Sequence, residues 1–350
     1  MFPSPKRFAS HALALVVCAL MIAGCGGGTT PSGAGSPTPS PTPTSSPTIA
    51  PGAITEYPVP TASANPHSIA AGPDGNLWFT EAGGNNIGKI TTGGTVTEYP
   101  VPTAGANPLG ITAGPDGNLW FTEAGGNKIG KITTGGSVTE YPVPTASAFP
   151  SSITAGPDGN LWFTESDGNT IGKITTGGAI TEYPVPTAGA FPDTIVAGAD
   201  GNLWFAEYSS GANKIGRITT SGAITEYPIP TSFALPLAIA AGSDGNLWFT
   251  EKGGNNIGRI TTSGTITEFP VPTANAIPDG ISAGPSGSLW FTEAYGSNGN
   301  GKIGTITTSG AITEYMISTS NAAPGGIAAG PDGNLWFTES SGNKIGKITP

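Results

Sequence analysis

The sequence predicts an all-β fold, a seven-bladed β-propeller, from three observations. Its seven tryptophans recur every 42 to 46 residues, at Trp78, Trp120, Trp162, Trp204, Trp248, Trp290 and Trp336. Each lies in a copy of one unit that contains GPDGNLWFTE or a variant of it, as at Gly72–Glu81. Each unit has four short runs rich in β-branched and aromatic residues, bounded by turn residues, with no helical period. Four strands in about 40 residues are typical of a propeller blade, and propellers have about four to eight blades.

The first unit shows the order of its four predicted strands. Ser68–Ala71 is the first strand, and a Pro-Asp-Gly-Asn turn connects it to the second strand, Leu77–Glu81. A Gly/Asn loop precedes the third strand, Ile87–Ile90, and a Thr-Thr-Gly-Gly turn precedes the outer strand, Val96–Val101. The connections are short and rich in Gly, Asn and Pro, as turns between antiparallel strands require.

The two ends of the repeat array predict how the ring closes. The repeats begin with an outer-strand segment, Ile54–Val59, and stop at a third-strand segment, Ile345–Thr349. The first segment would therefore complete the last blade. The alternative is an open solenoid, which would leave strand edges exposed at both ends and invite aggregation. We expect the closed ring.

The N-terminus has the features of a secretion signal. Lys6 and Arg7 precede an apolar run, Ala12–Ala23, which is shorter than the roughly 20 residues needed to span a bilayer. Small residues lead to Cys25, in a pattern that resembles a bacterial lipobox. We therefore expect residues 1–24 to be a lipoprotein signal peptide and Cys25 to be lipidated; the alternative is an ordinary secretory signal with an incidental cysteine.

Composition divides the rest of the chain into a tether and a folded body. Residues 25–52 are mostly Gly, Pro, Ser and Thr and predict a disordered tether, whereas residues 53–350 form the propeller. The formal charge is −10, and the mature chain, which lacks two basic residues, is more acidic still. Nucleic acid is therefore an unfavourable partner. We expect a monomer outside the cytoplasm, anchored by lipid to the bacterial cell envelope at the outer membrane or cell surface.

Two series of glutamates recur in every blade. The first series ends the second strands: Glu81, Glu123, Glu165, Glu207, Glu251, Glu293 and Glu339. We expect these carboxylates to accept hydrogen bonds from backbone amides of the following loop, and a ring of ligand-binding or cation-binding carboxylates is the alternative. The second series lies on the outer strands: Glu56, Glu98, Glu140, Glu182, Glu226, Glu268 and Glu314. There we expect solvated edge charges that discourage edge-to-edge pairing.

Departures from the repeat predict a ligand site on one rim, the top face, where the loop before the first strand meets the loop after the second. The residue after the loop proline changes chemical class between blades: His67, Leu109, Ser151, Asp193, Leu237, Asp279, Gly325. The loops after Glu207 and Glu293 are longer than the others and carry Tyr208 and Tyr295.

The hypothesis is a site for a small molecule or peptide over blades four to six. Phe191, Phe233, Leu235 and Ile277 form its apolar floor, Tyr208 and Tyr295 its walls, and Asp193 and Asp279 its polar anchors. The alternative is that these residues only seal blade junctions.

The units PDGNLWFTE, GNKIGKIT and ITEYPVPT, with a loop ending Pro-His, resemble those of the virginiamycin B lyase family over residues 53–350. The resemblance implies a seven-bladed propeller that opens a cyclic depsipeptide by elimination, with a base that removes the α-proton and a bound Mg²⁺ that polarises the carbonyl. The family site has two histidines after the prolines of adjacent blades, with acidic residues near the second. His67 matches one histidine and Glu81 one acidic position, which makes them the candidate catalytic residues. Leu109 and Gly325 occupy the neighbouring slots, and Asn65 replaces an acidic residue.

Other catalytic patterns are absent from the sequence of the folded body. It has no cysteine nucleophile, no histidine pair for zinc and no glycine-rich phosphate loop that opens a helix. No cofactor is expected unless the lyase hypothesis holds, in which case it is Mg²⁺. Two functions remain: a ligand-binding or interaction module, which the missing second histidine favours, or an Mg²⁺-dependent carbon–oxygen lyase acting on streptogramin B-type depsipeptides.

Overall fold

The computed structural model describes residues 51–295 and 301–350. These residues form 28 strands in seven four-stranded antiparallel sheets, so the predicted all-β, seven-bladed propeller is confirmed. The predicted signal peptide, Cys25 and nearly all of the tether lie outside the described residues. No helix in the described part of the chain is long and apolar enough to cross a membrane.

Each blade takes four strands that follow one another in sequence, except for the last. Blade one is β2(Pro66–Ala71), β3(Leu77–Glu81), β4(Asn86–Ile90) and β5(Val96–Pro100), and blade two is β6(Pro108–Ala113), β7(Leu119–Glu123), β8(Lys128–Ile132) and β9(Val138–Pro142). Blade three is β10(Pro150–Ala155), β11(Leu161–Glu165), β12(Thr170–Ile174) and β13(Ile180–Pro184), and blade four is β14(Pro192–Ala197), β15(Leu203–Glu207), β16(Lys214–Ile218) and β17(Ile224–Pro228). Blade five is β18(Pro236–Ala241), β19(Leu247–Glu251), β20(Asn256–Ile260) and β21(Ile266–Pro270). Blade six is β22(Pro278–Ala283), β23(Leu289–Glu293), β24(Lys302–Ile306) and β25(Ile312–Met316), with a short 3₁₀ turn at Pro285–Gly287. Blade seven is β26(Pro324–Ala329), β27(Leu335–Glu339), β28(Lys344–Ile348) and β1(Ile54–Pro58).

The ring closes as predicted. Strand β1 pairs antiparallel with β28, and the register runs from Ile54 opposite Ile348 to Pro58 opposite Lys344. The backbone of Gly52 and Thr349 continues this pairing with a 2.7 Å hydrogen bond. The first and the last of the described strands thus share a sheet, and each of the seven described blades has four strands.

The apolar core lies between blades rather than within them. Trp78 of blade one packs with Ile111, Leu119 and Phe121 of blade two, and the same kind of cluster recurs at every junction. Trp78 also stacks on Tyr99 at 5.5 Å between ring centroids. Because each tryptophan is buried against the next blade, every blade needs a neighbour, which explains why the unit is repeated until the ring closes.

The aspartate of the PDGN turn holds the tryptophan in place. The indole N–H of Trp78 donates to Asp74 at 3.0 Å, and five other blades repeat this bond. Blade six is the exception, because Ser286 stands where the other blades have Asp. There the indole N–H of Trp290 is buried without a partner among the described residues.

Candidate functional site

Every first strand carries an irregularity at the top face. In blade one, Pro66 pairs with Glu81 and Ile69 pairs with Phe79, so the register shifts between these two pairs. All other first strands show the same shift. The variable residue after the proline, such as His67, lies within this bulge. A β-bulge re-aims side chains locally, which explains how a strand residue comes to face the mouth of the ring.

Threonines of neighbouring blades fix these bulges in position. The Thr80 hydroxyl accepts a bond from the Ser68 amide of its own blade and donates to the Leu109 carbonyl of the next blade at 2.7 Å. Equivalent threonines hold the carbonyls of Ser151, Asp193, Asp279, Gly325 and His67. The backbone carbonyl of each variable residue therefore accepts a hydrogen bond from the preceding blade. Leu237 is the exception, because the preceding blade has Ala206 in place of the threonine.

The loops that enter the first strands hold their pre-proline residues in the left-handed region. Asn65 and Asn107 have φ of 49° and 48°, a conformation that asparagine adopts readily. Bulky residues occupy the same slot in the next four blades: Phe149, Phe191, Leu235 and Ile277, with φ between 50° and 53°. A bulky or β-branched residue is strained there, and such strain is concentrated at functional sites.

The variable residues surround one cavity of about 760 Å³. Six of the predicted site residues line it: His67, Phe191, Asp193, Tyr208, Asp279 and Tyr295. Phe233, Leu235 and Ile277 are not among its lining residues, and Phe233 is 68% exposed. The cavity also borders blades one to three and seven, so it extends beyond the predicted region over blades four to six. Its volume is within the range of sites for drug-sized ligands.

The polar anchors of the cavity are held by neighbours from other blades. The Ser151 hydroxyl donates to Oδ1 of Asp193 at 2.6 Å, and Lys252 approaches Oδ2 of Asp279 at 3.5 Å. Burial raises the pKa of Asp193, and the hydrogen bond from Ser151 and the charge of His67 oppose that rise. The cavity therefore combines apolar walls with a few oriented polar groups, which is the usual form of a small-molecule site.

Lys252 lines the cavity but was not predicted as a site residue, although the sequence indicates it. Lys252 lies directly after the glutamate that ends the second strand, in the same slot as Tyr208. This slot is Ala or Ser in five blades and departs from them only at these two residues: Ala82, Ala124, Ser166, Tyr208, Lys252, Ala294 and Ser340. Phe149, 38% exposed, was also missed as a lining residue, although it occupies the same pre-proline slot as Phe191.

The glutamates that end the second strands do not bind the loop amides as predicted. Glu81 is fully buried, and its only bond among the described residues comes from the Asn86 amide group at 2.9 Å. Both carboxylate oxygens lack a partner in Glu123, Glu165, Glu207, Glu293 and Glu339. The loop amide is instead bound by asparagine, since Ala106 donates to Oδ1 of Asn85 at 2.7 Å. Burial raises the pKa of Glu81 to about 7, so its carboxyl group remains largely neutral well above pH 5.

The outer-strand glutamates are also not the solvated charges predicted. Glu98 is half-buried and accepts two bonds from Thr61, one from the backbone amide at 2.9 Å and one from the hydroxyl at 3.0 Å. Glu140 binds Thr103 in the same way and forms a 2.7 Å ion pair with Lys128. These carboxylates fasten the loop that enters each blade, which is a structural role.

The two candidate catalytic residues occupy different environments. His67 is exposed and lines the cavity, whereas Glu81 is buried and does not line it. Magnesium requires several oxygen ligands in octahedral geometry. Asn65, Leu109 and Gly325 line the cavity with His67 and provide no carboxylate. Asp167, Asp193 and Asp279 also line it, but the described residues contain no group of three His, Cys, Asp or Glu that could hold a metal. The residues around His67 therefore do not fit Mg²⁺.

The chain matches the model of the virginiamycin B lyase family over residues 46–297 and 208–350. It is similar to a solved streptogramin B lyase, with 43% identity over 85% of this chain and 97% of that one, and a TM-score of 0.80. It is also similar to virginiamycin B lyase from Staphylococcus aureus, with 45% identity over 85% of this chain and 99% of that one, and a TM-score of 0.80. A catalytically inactive histidine-to-alanine form of that enzyme, solved with Quinupristin, gives the same values. The repeat, the closed ring and these similarities together show that the chain belongs to the virginiamycin B lyase family.

Proposed function

We propose that this protein acts mainly as a ligand-binding module, through the cavity on its top face. The observation that carries the proposal is that six residues from positions that vary between blades, including His67, Asp193 and Tyr208, line a single cavity. Repetition alone does not account for such residues, because the seven-fold architecture is already satisfied by positions that are alike in all blades. The expected ligand is an amphipathic small molecule or peptide that contacts aromatic walls and a few polar anchors.

Binding is favoured over turnover by the chemistry near His67. Elimination requires a base next to the acidic carbon and a group that stabilises negative charge on the carbonyl. His67 lines the cavity, and an imidazole is the most common general base in enzymes. The buried carboxyl of Glu81 does not reach the cavity wall, however, and no second imidazole among the residues that the structure describes lines the cavity.

The alternative is that the protein is a lyase that linearises streptogramin B-type cyclic depsipeptides by elimination at the ester. It is supported by the relatives described above, which are 43–45% identical and carry the names of streptogramin B and virginiamycin B lyases. On this alternative His67 is the base. Mg²⁺, when bound, would polarise the carbonyl of the substrate, and the residues near His67 do not supply its ligands.

The proposed location follows from the N-terminal sequence. A lipid on Cys25, with the Gly-, Pro-, Ser- and Thr-rich residues 25–52 as a spacer, would hold the propeller at the cell envelope, outside the cytoplasm. In that setting the ligand reaches the cavity from the extracytoplasmic side. Growth with labelled palmitate tests the anchor: the protein should incorporate label, and Cys25→Ser should abolish it.

The decisive experiment is calorimetric titration of the purified protein with quinupristin, in wild type and in three variants. Phe191→Ala and Tyr208→Ala remove cavity walls, whereas Phe233→Ala removes an exposed aromatic residue that lies outside the cavity. We expect the first two to weaken binding by about tenfold or more, since a buried aromatic contact is worth about 1.5–3 kcal/mol, and the third to have no effect. Equal effects in all three variants, or binding that none of them alters, would contradict the cavity assignment.

Chromatography of the same mixtures with mass spectrometry separates the two functions. A linear product of unchanged mass, lost in His67→Ala, would establish the lyase and replace the binding proposal. Bound quinupristin recovered intact after long incubation, with or without Mg²⁺, is the outcome that the binding proposal predicts. If no quinupristin binds at millimolar concentration, depsipeptides are excluded as the ligand class.

A further inference from the structure

A polar cluster recurs at the top of every blade, away from the cavity. Its four members are the glutamate that ends the second strand, the glutamate of the outer strand, a threonine of the entering loop and the first residue of the third strand. In blade two these are Glu123, Glu140, Thr103 and Lys128. The Lys128 ammonium binds the Thr103 hydroxyl at 2.6 Å and Oε2 of Glu140 at 2.7 Å. A cation thus sits between the threonine and the outer glutamate.

Most blades place a nitrogen in this cluster. Lys214, Lys302 and Lys344 repeat the arrangement of Lys128, each binding the local threonine and outer glutamate. In blades one and five, Asn86 and Asn256 donate to the second-strand glutamate at 2.9 Å, and Asn86 also donates to the Thr61 hydroxyl at 3.3 Å. Six of the seven clusters therefore have a positively charged or amide nitrogen among their oxygens.

Blade three differs, because Thr170 begins its third strand. The Thr170 hydroxyl donates to the Gly168 carbonyl at 2.9 Å and so does not serve the carboxylates. Both oxygens of Glu165 are fully buried and without a partner among the described residues. Glu182 accepts one bond at Oε1, from the Thr145 amide at 3.0 Å. Its Oε2 and the Thr145 hydroxyl, which correspond to the two atoms that bind Lys128 in blade two, have no nitrogen partner among the described residues. The side chains of Glu182 and Thr145 both lie near enough to Glu165 to act on its pKa.

We propose that the blade-three cluster binds a monovalent cation of ammonium size, such as K⁺, at the place where a lysine ammonium lies in blades two, four, six and seven. The ligands are the carboxylates of Glu165 and Glu182 and the hydroxyl of Thr145. Glu165 and Thr145 both pack around Gly168, where a Cβ would lie 3.0 Å from Oε2 of Glu165 and 3.2 Å from the Thr145 methyl group. This packing places the two side chains at one corner of the blade.

Charge and ligand type favour this occupant. Blades two, four, six and seven each combine two glutamates with one lysine, and blades one and five have an asparagine amide in place of the lysine. Blade three has two glutamates with neither a cation nor an amide from its own cluster. Carboxylate and hydroxyl oxygens are the ligands of hard cations. A single positive charge reproduces what lysine supplies in the other blades. Burial and the nearby Glu182 raise the pKa of Glu165 to about 8, so a proton competes with the cation and the site should fill best in alkaline solution.

The direct test is a crystal of the full protein soaked in Rb⁺ at pH 8.5, because Rb⁺ substitutes for K⁺ and scatters anomalously. We expect one anomalous peak between Glu165, Glu182 and Thr145. Thr170→Lys, which copies blade two, should abolish the peak. Lys128→Thr, which copies blade three into blade two, should create a second peak beside Glu123 and Glu140. This gain cannot result from a variant that merely fails to fold.

Thermal unfolding at pH 8.5 provides a solution measurement of the same site. The melting temperature of the wild type should be about 2 °C higher in KCl than in tetramethylammonium chloride of equal ionic strength. Thr170→Lys should remove this difference. If Rb⁺ gives no peak and the melting temperature depends on pH but not on K⁺, the two glutamates share a proton instead and the proposal is overturned.

Discussion

The buried glutamates that end the second strands make the stability of this propeller dependent on pH. Glu123 shows the effect most simply, because both of its oxygens are buried without a partner among the described residues. Burial is the main cause that raises its pKa to about 7 from the ordinary 4.5, and the negative charge of Glu140 adds to the rise. Glu123→Gln removes the titrating group and keeps the shape of the side chain.

The sign and size of the effect follow from proton linkage. Below pH 4.5 the carboxyl group is protonated in both the folded and the unfolded chain, and it has no effect on the pH dependence. As the pH rises from 4.5 to about 7, the unfolded chain loses the proton while the folded chain keeps it, so the free energy of unfolding falls. Each pKa unit corresponds to about 1.4 kcal/mol, which sets an upper limit of about 3 kcal/mol for this one residue.

Urea unfolding at pH 4.5, 6 and 8 measures this linkage. Relative to wild type, Glu123→Gln should be within about 1 kcal/mol at pH 4.5 and more stable by about 1–3 kcal/mol at pH 8. Glu140→Gln is the matched control of opposite sign. Burial alone would raise the pKa of Glu140, but hydrogen bonds from Lys128 and Thr103 outweigh burial and lower it. Glu140→Gln should therefore be less stable than wild type at neutral pH, and this difference should shrink as the solution becomes acidic. A difference between Glu123→Gln and wild type that stays constant with pH would refute the reasoning.

Three further predictions concern positions where single blades depart from the others. Phe149→Asn should stabilise the protein by about 1 kcal/mol in urea unfolding, because asparagine relieves the strain at φ of 53°. The same variant should weaken ligand binding in the cavity. A loss of stability would mean that the packing of Phe149 outweighs its strain. Ser286→Asp should stabilise blade six by about 1 kcal/mol by giving the Trp290 indole an acceptor, and an unchanged urea midpoint would argue against it. Deletion of residues 51–58 removes β1 and exposes the edge of β28. We therefore expect a lower melting temperature and aggregation detected by light scattering. A monomer that melts at the wild-type temperature would show that the closing strand is dispensable.

The sequence predicted those features that depend on periodicity within a unit. The predicted second strand, Leu77–Glu81, has the observed bounds, and the closing segment at Ile54 pairs as expected. Alternation of apolar residues between turns is a local property, and the phase of the repeat decides which strand is shared between the chain ends. Both are readable without knowledge of any contact between blades.

Contacts between neighbouring repeats were predicted less well. Glu81 and Asn85 recur with nearly the same regularity, so their spacing cannot tell which of them binds the loop amide of the next blade; the structure assigns that bond to Asn85. The pairing of Ser151 with Asp193 joins blades three and four across 42 positions. Such pairs depend on how far each blade is rotated from the last, a quantity that the pattern of a single unit does not contain.

The pre-proline slot shows how a repeat protein can separate its architecture from its site. Asn65 and Asn107 demonstrate that this chain can fill a left-handed position with a residue that tolerates it, yet Phe149 and Phe191 occupy the same position at φ of 53° and 50°. The strained aromatic rings are 38% and 45% exposed and border the cavity, so burial in the core does not explain them. A surface aromatic residue that weakens the fold and faces a cavity is best explained by contact with a ligand, and this argument favours a site that spans blades three and four.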